Sequence, residues 1–89
     1  MDTAVLIEPE KLKAMSGEHA DHYLAVQAFR AIKEKLEISR EKGRGGWNGD
    51  SCSNTVLLQM LREHVEKGDM VDVMNLAAMI HVRSEVGLG

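Results

Sequence analysis

The longest regular pattern in the chain runs from Glu18 to about Lys42. Within it Ala25, Phe29, Ile32 and Leu36 recur at steps of four, three and four, which makes one apolar stripe on a helix. Ala28, beside the stripe, is small enough for close approach. The other positions carry Arg30, Lys33, Glu34, Lys35, Glu37, Arg40 and Glu41, a solvated face with opposite charges at helical spacing. Glu18 and Asp21 near the start, and Arg40 and Lys42 near the end, suit the helix dipole. Gly43 is a natural stop. A second pattern spans Asn54 to Lys67, with Leu57, Leu58, Leu61 and Val65 apolar and Gln59, Arg62, Glu63 and Glu66 polar. Ser51, Ser53 or Asn54 can cap it, and Gly68 ends it. The last pattern, about Asp69 to Ser84, is apolar nearly all round, from Met70, Val71 and Val73 through Leu76, Met79, Ile80 and Val82. Asp69 is the expected cap, with Asp72 in the third helical position as in a capping box.

A helix apolar on every side belongs inside something. The pattern therefore predicts an all-α protein: a long helix plus an antiparallel helix pair, assembled as a dimeric helical bundle. The last helix is expected to pack against the long one and against its mate. Residues 1–17 read as an arm with a short helix opened by Pro9, carrying Leu12 and Met15 and ending at Ser16-Gly17. Residues 18–86 read as one helical domain. Gly87-Leu88-Gly89 is expected to fray.

Composition narrows the class. The chain has 89 residues and a formal net charge of -3, so one domain is expected and no global nucleic-acid signature is present. The single cysteine excludes an internal disulfide and fits a reducing compartment. The longest uncharged runs, Ser51 to Leu61 and Val73 to Val82, fall far short of the roughly 20 apolar residues that span a bilayer. Met1-Asp2-Thr3 lacks the basic start of a secretory signal. The expectation is a cytoplasmic protein without a membrane partner. Six methionines suit an adaptable core or a partner groove.

Candidate chemistry centres on the stretch Lys42-Gly43-Arg44-Gly45-Gly46-Trp47, between the long helix and the pair. Consecutive backbone N–H groups there could face an anion, with Lys42 and Arg44 adding charge. Residues 30–44 hold six basic and three acidic side chains, in a chain that is otherwise acidic. The spacing is neither a P-loop nor a dinucleotide fingerprint. The ordinary reading is a turn that needs positive φ, closed over the core by Trp47.

The carboxylates form helical pairs at Glu34/Glu37, Glu66/Asp69 and Asp69/Asp72. Two such pairs on facing helices could hold Mg²⁺. In this they resemble the MazG-like nucleotide pyrophosphohydrolases. That resemblance implies a Mg²⁺ site at Glu34, Glu37, Asp69 and Asp72, with Arg40 or Lys42 on phosphate. Gly68 interrupts the second pair, and the ordinary reading is a solvated face and a cap. His19 and His22 have metal-ligand spacing, but no C-x-x-C completes a zinc set, so they and His64 and His81 read as surface or contact histidines. Cys52 has no accompanying nucleophile motif.

The second half, Gly-Arg-Gly-Gly-Trp, then Cys52, Leu57 and Leu61, then Arg62-Glu63-His64-Val65-Glu66-Lys67-Gly68-Asp69, then Asp72-Val73 and Met79-Ile80-His81-Val82-Arg83, resembles a module of small proteins of tailed bacteriophages and prophages. Met70 stands where that module has proline. The resemblance covers about residues 36 to 83 and implies a protein acting inside an infected bacterium. The expected function is a non-enzymatic accessory protein that binds a host or phage protein through Arg40, Lys42, Arg44 and Trp47, with no cofactor. Mg²⁺-dependent pyrophosphohydrolysis is the alternative. Nucleic-acid binding through the basic patch is a second one, which the acidic remainder disfavours.

Overall fold

A computed structural model describes residues 7–89. It is all-helical, with α1 at Pro9–Ala14, α2 at Gly17–Glu41, α3 at Asn54–Lys67 and α4 at Met70–Glu85. The chain divides into two compact units, Met1–Ala31 and Ile32–Gly89, with the boundary inside α2. No helix among the described residues is long and apolar enough to cross a membrane.

In the first unit, Pro9 opens α1 as its missing N–H allows. Gly17, expected to close the short helix, instead begins α2. The reason is Ser16, whose Oγ accepts a hydrogen bond from the His19 backbone N–H at 3.1 Å, a side-chain cap that starts a new helix. No described residue of this unit is buried. Phe29 is 64% exposed, and Ala25 is exposed too. Half of the predicted stripe thus faces outward, while Ile32 and Leu36, in the second unit, are half-buried.

The second unit holds the rest of α2, the Gly-Trp loop, α3 and α4. Its three helix ends share one device. Gly43, Gly68 and Gly87 have φ of 80°, 77° and 85°, the left-handed conformation that glycine adopts without a Cβ penalty. After each, the next residue's N–H reaches back to a carbonyl in the last turn: Arg44 to Ser39 at 3.0 Å, Asp69 to His64 at 3.0 Å and Leu88 to Arg83 at 2.8 Å. This is the Schellman closure, which satisfies carbonyls the helix would leave open. Ser53 is the cap of α3, its Oγ accepting from the Val56 N–H at 3.2 Å.

The cap expected on α4 is not made. Asp69 precedes α4 but its side chain caps no backbone N–H. Its Oδ2 lies 3.2 Å from His64 Nδ1 instead. The φ of -84° and ψ of 77° at Asp69 depart from the extended geometry of a capping residue. The tight Gly68 turn sets α4 beside α3, and α4 packs chiefly on α3 rather than on the long helix. Leu57 and Leu76 are the buried apolar side chains of the described chain.

The tail Gly87–Gly89, expected to fray, makes hydrogen bonds to the start of α3. The Asn54 N–H donates to the Gly89 carbonyl at 2.6 Å, and Asn54 Nδ2 donates to the Leu88 carbonyl at 3.1 Å. The end of the chain thereby supplies acceptors to the first turn of α3, whose N–H groups lack helical partners.

Candidate functional site

The site is organised by a side chain that the sequence does not advertise. Arg83, near the end of α4, is 2% exposed. It follows Leu76 by two helical turns, so it lies on the face that α4 buries. Its Nε donates to Asn54 Oδ1 at 2.7 Å, its Nη1 to the carbonyls of Trp47 at 2.6 Å and Gly49 at 3.0 Å, and its Nη2 to the Cys52 carbonyl at 2.8 Å. No carboxylate is among these partners. The guanidinium fork matches a ring of carbonyl dipoles, as its fixed planar geometry permits, and the C-terminal end of α4 favours the positive charge. The Gly-Trp loop is therefore held from below by a fixed cation. Its conformation rests on α4 and on Asn54.

Above this anchor lies a half-open groove of about 710 Å³, wholly within the second unit. One wall is the last turns of α2 with Lys35, Leu36, Ser39 and Arg40; another is the loop from Arg44 to Asn48; the floor is Leu57, Met60, Leu76 and Met79 from α3 and α4. The volume falls in the range of binding clefts, and so does the lining, mostly apolar with a few polar groups. Three of the four residues expected to bind meet here: Arg40, Arg44 and Trp47. Lys42 is exposed and does not line the groove. Neither Arg40 nor Arg44 makes an ion pair among the described residues, whereas Lys35 Nζ lies 3.4 Å from Asp72 Oδ1. The groove's free positive charge is thus the two arginines.

Asn75 also lines the groove. It is 5% exposed, and its Oδ1 has no hydrogen-bond partner. A buried acceptor without a donor costs about 1–3 kcal/mol of stability. Nothing in the sequence marked this residue beyond its being polar in an apolar helix.

The metal-ligand candidates are only partly gathered. Among the described residues, the group that could hold an ion is His64, Asp69 and Asp72. Asp72 Oδ2 lies 3.7 Å from His64 Nδ1 while its Oδ1 faces Lys35, so the cluster also reads as a charge network between helices. Glu34 and Glu37, the other half of the pyrophosphohydrolase set, are not in it. His19 and His22 are exposed and belong to no such group among the described residues. His81 lies 3.4 Å from Glu85 on the surface. The Cys52 thiol is half-buried and makes a long contact of 3.9 Å to the Ser53 carbonyl, with no hydrogen bond to an imidazole among the described residues.

Fold and groove together define a small all-α protein with an arginine-edged apolar cleft. No family model, no curated protein and no solved structure matches the chain.

Proposed function

We propose that this chain is a non-enzymatic interaction protein, of the accessory kind that its phage-like module implies, which binds another protein through the groove. One observation carries the reading: Arg40, Arg44 and Trp47, predicted as binding residues, line a single preformed apolar cleft. Arginine and tryptophan dominate binding hot spots because they combine large contact area with directed polar groups. Arg83 holds the loop in place before any partner arrives, which reduces the ordering that binding would otherwise require.

The same reading includes self-association. Val56, Leu58 and Val65 on α3 and Met70, Val71 and Val82 on α4 are exposed, apolar surface that a second copy would cover.

The test is capture from bacterial host lysate by the purified protein, compared with the double variant Arg44→Ala/Trp47→Ala. The variant is expected to fold, by far-UV circular dichroism, and to lose the captured partner. A folded double variant that captures as well as the parent would remove the groove from the function.

A further inference from the structure

The groove has a definite chemical character, and it restricts what can lie in it. Its walls are helices and a loop, and two of the loop residues that line it, Trp47 and Cys52, already give their carbonyls to Arg83. No strand, and so no open sheet edge, exists among the described residues. A bound chain cannot satisfy its backbone by adding a strand, which favours a segment that arrives with its own hydrogen bonds made. An α-helix does this and presents side chains at i, i+4 and i+7 to an apolar floor. Met60 and Met79 in that floor adapt to different side chains. Two guanidinium groups in its lining, those of Arg40 and Arg44, have no carboxylate partner among the described residues, while Lys35 is paired within the protein with Asp72. Arginine forks fit carboxylates in bidentate geometry.

From this we infer that the groove receives an amphipathic α-helix of a partner protein, with carboxylates flanking its apolar stripe so as to meet Arg40 and Arg44. This rests on the reading of the chain as an interaction protein and specifies the partner's binding segment. The chain carries a net charge of -3, which opposes an acidic partner at long range. The attraction must therefore be local to the two arginines and sensitive to salt.

Two fluorescein-labelled helical peptides of about four turns test it. Both carry leucines at the i, i+4 and i+7 positions; one is flanked by glutamates, the other by lysines. Fluorescence anisotropy is expected to show the glutamate peptide binding about tenfold more tightly at low salt, since two exposed ion pairs replace two repulsions. The double variant Arg40→Glu/Arg44→Glu is expected to reverse that order, and its fold is checked by circular dichroism, both positions being exposed. Met60→Asp, which places a charge in the floor, is expected to weaken both peptides. Absence of saturable binding by either peptide overturns the inference, and so does an order that charge reversal leaves unchanged. A protein that ignores both peptides yet captures a lysate partner through Arg44 and Trp47 keeps the interaction reading and loses this one.

Discussion

Two buried polar residues on α4 behave oppositely, and each makes a prediction. Arg83 spends four donor contacts on Asn54 and three loop carbonyls. Replacing it with leucine leaves those part-buried acceptors without their donors. Arg83→Leu is expected to lower stability by about 3 kcal/mol or more, measured by urea unfolding. Arg83→Lys is expected to recover little of this, because an ammonium cannot span the same fork. A variant within about 0.5 kcal/mol of the parent would show that the loop does not need the cation. Asn75 is the reverse case. Its Oδ1 satisfies no donor, so Asn75→Leu is expected to raise the melting temperature, by roughly 1 kcal/mol of added stability. A lowered melting temperature would mean that the amide has a partner in solution.

Helix ends and helix faces were not equally legible. The bounds of α3 follow the predicted ones, and α2 and α4 differ from theirs by a residue at each end. Gly43 and Gly68 were readable as stops because a positive φ is a local demand that glycine alone meets cheaply. Gly68→Ala tests this: nothing lies within 4 Å of the Cβ it would add, so the expected loss of about 1 kcal/mol is backbone strain alone. Loss well beyond that would point to crowding instead. Ser16 and Gly17 misled, because a serine cap and a glycine stop share the same letters and the surrounding chain decides between them. Asp69 misled in the same way: its carboxylate had a choice between a backbone N–H and His64, five residues back. The tail looked free because its partner, Asn54, is remote in sequence. Of the groove, the rim residues Arg40, Arg44 and Trp47 were visible by type and position. Arg83 and Asn75 were not singled out, since a polar residue in an apolar helix is informative only when the facing backbone is known. The available sign was that Arg83 falls on the same face as Leu76.

At the scale of the molecule, the described chain buries two apolar side chains, Leu57 and Leu76. A unit of this size is marginal on its own. If copies associate through the exposed faces of α3 and α4, the melting temperature is expected to rise with protein concentration, and sedimentation equilibrium to give more than one chain per particle. A monomer mass over the whole accessible range, with a constant melting temperature, would sink the dimer. The Arg83 anchor has one more consequence, and it concerns time. Its loop partners lie 31 to 36 residues away in sequence, so closing it means closing a long segment of chain. The Gly-Trp loop is expected to take its shape only with the last turn of α4 in place, because its carbonyls accept from Arg83. Loss of Arg83 should therefore hasten unfolding while leaving the refolding rate nearly untouched. The cleft would then be the last part of the unit to set and the first to loosen.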